Sequence, residues 1–319
     1  MHKLQTFTLA ILLAGTSTFV CGQNGAVAGP TLGYVQDGAG AFRPILGIPG
    51  ASFLGDRLEL GFEATVAAVA PRQDYALAVA ADGSVQLVDL GRGPLAVRAL
   101  DGAAASPDRL VLRPGGRAVL LVNSAAGTAQ VAKGLPGAPT LADIDLSALP
   151  GQPDVLAVSD DGAILAATAN GLFLLVDGAS RVVPSTGRIT ALTFAPDGKS
   201  AFAAGPGQLA AIDDVTGQPA WRLLTALGDD AGSPIGTATA NRRVVLAFSG
   251  FVMIVDPDTG AATRLDCAGA VTALARLNGD SFRLGEVSAD PMWIIDLGGS
   301  EPRLLFIPPV APADEELTY

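Results

Sequence analysis

The amino-acid sequence predicts an all-β fold assembled from a repeated unit of four short strands. Three observations predict it. Apolar runs ending in Asp recur along the chain, Gly-containing turns separate short apolar segments, and no window sustains a helical period of apolar residues.

The Asp-ended runs set the repeat. Val85-Gln86-Leu87-Val88-Asp89 is followed by residues 172–177, 209–213, 251–256 and 292–296, which end in Asp177, Asp213, Asp256 and Asp296. A degenerate copy, residues 128–133, ends in Lys133, and a weaker first copy, residues 33–37, ends in Asp37. These anchors stand 36 to 52 residues apart. Two strand-like segments precede the anchor in most later units. In the unit ending at Asp213 they are residues 189–194 and 200–204, joined by Ala195-Pro196-Asp197-Gly198-Lys199. Pro presets φ in such a turn and Gly accepts positive φ. Asp161-Gly162 and Asn278-Gly279 hold the same place elsewhere. A fourth segment follows the anchor, as in residues 220–224 and 262–265. Four strands in roughly 40–45 residues is the blade of a β-propeller.

Six complete four-strand sets begin near Thr65, Arg109, Val155, Ile189, Ile235 and Val271. Residues 32–48 supply a further pair, read as third and fourth strands, and residues 51–61 offer one more. Seven blades with one incomplete is the preferred count, and six is the alternative. Closure of the ring matters because an open ring exposes strand edges to aggregation.

The termini read differently. Lys3 precedes a mainly apolar stretch over residues 7–20, and small-residue cleavage sites lie at Ala26-Val27-Ala28 and Val20-Cys21-Gly22. This is the pattern of a secretory signal. Residues 1–28 are therefore expected to be a signal peptide, residues 29–310 a single propeller and residues 311–319 an acidic tail. The protein is expected outside the cytoplasm, secreted or periplasmic. An uncleaved membrane anchor and a lipid on Cys21 are the alternatives at this end, although Thr18, Phe19 and Val20 fit a lipidation motif poorly. Cleavage removes His2, the only histidine, together with Cys21, leaving Cys267 as the sole cysteine and no internal disulfide. Cys267 reads as a buried structural residue.

Several repeat turns resemble those of known propeller groups. Phe194-Ala195-Pro196-Asp197-Gly198-Lys199 resembles the "SPDGK" turn of WD-repeat-like and TolB-type propellers. Asp213-Asp214-Val215-Thr216-Gly217 followed by Trp221 is similar to the Asp-x-x-Thr-Gly…Trp pattern of quinoprotein-like repeats. Asp256-Pro257-Asp258-Thr259-Gly260, after Val252 to Val255, resembles the "VIDTATG" turn of the YVTN group. The resemblance spans most of residues 64–309 and implies the fold. Its members include scaffolds, lactonases, redox enzymes and surface proteins, so it implies no single chemistry.

Composition narrows function from the other side. The chain has 319 residues, 49% hydrophobic and 16% charged, with net charge −11, which excludes disorder and argues against nucleic acid as partner. No stretch after residue 20 is long and apolar enough to span a bilayer. Without histidine, a Ser-His-Asp device and His-ligated metal sites are impossible in the mature chain. A carboxylate Ca²⁺ site stays open, because hard cations take oxygen ligands. The weak metal candidates are Asp229 and Asp230 in a loop between blades, and Asp143 and Asp145 two apart on one strand face. The recurrent anchor Asp residues read as turn formers that accept local N–H bonds. Trp221 and Trp293 sit within strand segments and read as core.

No catalytic or cofactor-binding residue emerges. The expected function is that of a monomeric, non-enzymatic propeller that binds a protein or other macromolecule through one face. A carboxylate- and Ca²⁺-dependent hydrolase or lactonase-like enzyme at the central channel is the alternative. A quinone-dependent oxidoreductase rests only on the Asp-x-x-Thr-Gly turns and Trp221.

Overall fold

In the computed structural model the described residues are 29–309, apart from Ala39, Arg92, Asp229 and Asp230. The expected signal peptide, residues 1–28, with Cys21, and Asp229, Asp230 and the expected acidic tail therefore lie outside them. The 27 strands form seven antiparallel sheets, each consecutive in the chain, and the described residues contain no α-helix. Six sheets have four strands, and the first has three: β1 (Thr31–Gln36), β2 (Phe42–Ile48) and β3 (Ala51–Leu54). The fold is a seven-bladed β-propeller whose first blade is incomplete.

Each complete blade begins with an inner strand. These are β4 (Ala64–Val69), β8 (Arg109–Leu112), β12 (Pro153–Val158), β16 (Ala191–Phe194), β20 (Gly236–Ala240) and β24 (Ala275–Arg276). Middle strands are buried on both faces because a neighbouring blade covers each side. That is why they read as unbroken apolar runs rather than as alternating ones. Residues 75–80 and 164–168 are buried at every position, whereas the outermost strand over residues 179–183 is mainly exposed. The strand Ile164–Thr168 shows how one run serves two junctions. Leu165 and Ala167 pack toward blade 5, while Ile164 and Ala166 pack toward blade 3. The Ala side chains let the sheets approach closely. Seven buried clusters result, one at each junction around the ring.

Blade 1 departs from expectation in its register. Residues 32–48 were expected to be third and fourth strands; they hold the second and third places, and β3 is the outermost. Leu32 and Val35 of β1 are buried like residues of other second strands, and they pack on Met292 and Ile294 of blade 7. The absent strand is the innermost one. Asp37 consequently ends a second strand and lies on the opposite face of the ring from the other anchors. There it is buried against Arg43 and Arg57, at 3.1 and 2.7 Å.

Side chains of the two flanking blades cover the inner edge of β1. Gln73, only 4% exposed, accepts from the Tyr34 N–H at 2.7 Å. Its amide nitrogen donates across the gap to the Arg276 carbonyl of blade 7, also at 2.7 Å. From the other side the Asn278 N–H and Nδ2 donate to the carbonyls of Leu32 and Thr31, both at 2.8 Å. These bonds satisfy backbone groups that a strand would otherwise pair.

Candidate functional site

Neighbouring strands are antiparallel, so the first and third strands of a blade run the same way and end on the same face. That face carries the turns after the first strands around the channel mouth and the turns after the third strands farther out. The inner turns are tight hydrogen-bonded loops. In blade 5, Gly198 takes φ +69°, and Asp197 accepts the N–H groups of Lys199 and Ser200 at 2.9 and 3.0 Å. Burial works against the Asp197 carboxylate, but those N–H bonds outweigh it and hold its pKa below the ordinary carboxylate value.

Behind the turns, the channel is lined by Leu110, Leu112, Leu274, Thr193, Thr237 and Thr239 and encloses about 300 Å³. At its mouth opens a second cavity of about 500 Å³. Pro114, Pro196, Pro257 and Phe202 give this cavity apolar walls, and its charged lining residues are Arg113, Arg242, Arg243 and Arg276 with Asp197 and Asp258. Arg113 is 7% exposed and reaches from blade 3 across blade 4 to blade 5. Its Nη1 lies 2.7 Å from Asp160, and its Nη2 donates to the Pro196 carbonyl at 2.9 Å. A Cβ at Gly115 would sit 1.7 Å from that Nη1, so any side chain there would displace the Arg113 guanidinium. Arg276 donates to the Thr239 carbonyl at 2.9 Å and pairs with Asp280 at 3.0 Å.

Some polar groups here are left over. The Nε of Arg113, Oδ1 of Asp160 and Oγ1 of Thr239 are buried without a hydrogen-bond partner. Arg242 pairs with Asp258 at 3.1 Å on the surface, and Arg243 has no ion-pair partner among the described residues.

The sequence candidates lie elsewhere. Asp143 and Asp145 are on β11 (Thr140–Asp145), the outermost strand of blade 3, away from the channel. Asp143 accepts from Gln130 Nε2 at 2.9 Å, and Asp145 accepts from the Ser147 N–H and hydroxyl at 2.8 and 2.6 Å. Asp89, Asp256 and Asp296 each accept an N–H within their own turn. Asp213 instead pairs with Arg222 at 3.0 Å. Trp221 and Trp293 are partly buried against junction clusters. Cys267 is half-buried, and desolvation, with Asp266 beside it, raises its thiol pKa and disfavours the reactive thiolate. Sequence reasoning did not find the arginine mouth, since its members come from blades 3, 6 and 7. One signal was available: Asn241-Arg242 puts Arg where a two-residue turn favours Gly.

No family model matches the chain. A protein from Desulfotomaculum acetoxidans described as functionally unknown is similar in structure, with a TM-score of 0.58 and 15% identity over 87% of this chain and 99% of that one. Apo AztD from Citrobacter koseri gives 0.55 and 13%, over 86% and 82%. The β-propeller domain of Cps50 (Swd1) from Myceliophteria thermophila gives 0.52 and 15%, over 76% and 86%. The likeness is one of fold. It confirms the resemblance to WD-repeat-like propellers at that level and assigns no activity. A stretch of 72 residues is 43% identical to a G-type lectin S-receptor-like serine/threonine-protein kinase of Arabidopsis thaliana. The match takes in 23% of this chain and spans only 8% of that protein's length.

Proposed function

We propose that the protein is an exported, non-enzymatic propeller that binds a protein partner through the face carrying the first-strand turns. The observation that carries this reading is the cavity of about 500 Å³ at the channel mouth. It joins apolar Pro and Phe walls to guanidinium donors supplied by separate blades, and the cross-blade bonds of Arg113 and Arg276 make it rigid. Apolar surface with a few placed polar groups suits recognition, and prior rigidity lowers the ordering cost of binding. A face assembled from several blades also offers the breadth that a protein interface needs.

Affinity capture from the native extracytoplasmic fraction, followed by hydrogen exchange on the recovered complex, tests the reading. Protection is expected at residues 113–117, 195–199 and 240–243. Protection confined to the turns of the opposite face, such as residues 80–84, overturns it, as does repeated failure of the folded protein to retain any partner.

A further inference from the structure

The turn of blade 6 is built unlike its counterparts. Ala240 pairs with Arg243, leaving Asn241 and Arg242 as the two loop residues, at φ 46° and 57°. This geometry favours Asn followed by Gly, because both loop residues need positive φ. Asn241 fits, and its Nδ2 reaches the Leu297 carbonyl at 3.4 Å. Arg242 does not fit: a long side chain occupies a backbone conformation that strains it. Its one ion pair, to Asp258, joins side chains that are 87% and 74% exposed, and so exposed a pair contributes little to stability. The arginine is therefore held at a cost that the folded chain does not recover. Its neighbour Arg243 lines the same cavity without an ion-pair partner. In the wall beside them, Thr239 Oγ1 and Arg113 Nε are buried and unpaired. Strain in the turn, an unpaired cation and unsatisfied buried donors all meet at one cavity.

We propose that the Arg242-Arg243 turn recognises a carboxylate carried by a peptide segment of the partner. This deepens the reading above and rests on it. Guanidinium forks match a planar carboxylate with paired N–H bonds. The Pro and Phe walls would take the segment's apolar atoms. The surroundings select against a polyanion, because the third strands end in Asp89, Asp177, Asp213, Asp256 and Asp296 on the same face. Asp197 and Asp258 line the cavity itself, so the favoured segment has one carboxylate among neutral or basic residues.

The probe is a heptapeptide acetylated at its N-terminus and amidated at its C-terminus, with a central Glu, Lys at each end and Gly and Ala between, compared with its Gln analogue. Binding is read by fluorescence anisotropy at two salt concentrations, and folding by thermal unfolding. The Glu peptide should bind about tenfold more tightly than the Gln peptide, as expected for a charge-assisted pair, and weaken with salt. Arg243→Gln should remove that preference. Arg242→Gly should weaken Glu-peptide binding while keeping or raising Tm, because Gly relieves the strained φ. Equal binding of the two peptides, binding of neither, or tighter binding of a phosphoserine peptide overturns the carboxylate assignment. So does an Arg242→Gly variant that melts lower and binds unchanged. Where captured partner protects this face but Arg243→Gln leaves capture intact, the carboxylate assignment alone fails. Where protection maps to the opposite face, the binding-face reading fails.

Discussion

Blade 5 meets the channel with a complete inner strand, Ala191–Phe194, whose backbone is laddered to the strand behind it. Blade 1 meets it with the edge of β1, which has Gln73 and Asn278 in place of a strand. The two blades satisfy the same backbone requirement by different means. A ladder spreads the bonds over consecutive residues, and any side chain that keeps the strand keeps them. A plug concentrates them in two residues, of which Gln73 links blades 1, 2 and 7 at once. Ring closure at blade 1 should therefore depend on single residues to a degree that blade 5 does not.

The sharpest way to break this contrast is Gln73→Ala. It leaves the Tyr34 N–H and the Arg276 carbonyl without partners in a part-buried place, and unmet buried groups cost about 1–3 kcal/mol each. A loss of about 3 kcal/mol is expected in denaturant unfolding. A loss below about 1 kcal/mol would show that the plug is not what closes the ring.

A complete junction supplies the next comparison. Tyr75 is fully buried between blades 2 and 3, and its hydroxyl donates to the Gly116 carbonyl at 2.9 Å. Burial, with Asp74 nearby, raises its pKa, so the phenol stays protonated and able to donate. Tyr75→Phe should cost about 1.5 kcal/mol, less than Gln73→Ala because ladders still hold both blades. A cost equal to that of Gln73→Ala would erase the distinction between plugged and laddered junctions.

Acid should test the closing blade through Asp296. Its carboxylate is buried and opposed by desolvation. Bonds from Arg303, the Gly298 N–H and Ser281 outweigh that and hold its pKa below the ordinary value. A depressed folded-state pKa gives stability that is present above the unfolded value, about 3.9, and is lost as pH falls through the folded one. Tm should therefore decline below about pH 4, and less steeply in Asp296→Asn. An unchanged slope would remove Asp296 from the account. The smallest effect is expected at the rim, where Asp145→Ala breaks only exposed bonds to Ser147 and should leave the unfolding midpoint unchanged within error. A clear drop would mean that outermost strands also depend on single side chains.

Much of this architecture was legible residue by residue. The runs ending in Asp89, Asp177, Asp213, Asp256 and Asp296 marked third strands, because the apolar run and, at Asp89, Asp256 and Asp296, the turn-capping carboxylate act locally. The turn at Pro196-Asp197-Gly198 could be read for the same reason, as positive φ at glycine and short-range Asp bonds need no tertiary partner. Asp37 misled because a second strand followed by a tight turn has the same local pattern as a third strand. The pairing order of β1, β2 and β3, and the burial of Asp37 against Arg43 and Arg57, tell them apart.

The blade, its repetition and the apolar faces on which blades stack follow from strand periodicity and turn chemistry within some forty residues. The tertiary structure alone decided which strand blade 1 lacks and that Gln73 stands in for it, bonding a carbonyl 203 residues away. It also decided that arginines from blades 3, 6 and 7 meet at one mouth, Arg113 reaching a carbonyl 83 residues on. Closing a ring brings the same turn of every blade to a common centre. Side chains far apart in the chain become neighbours there, and no local pattern records the meeting.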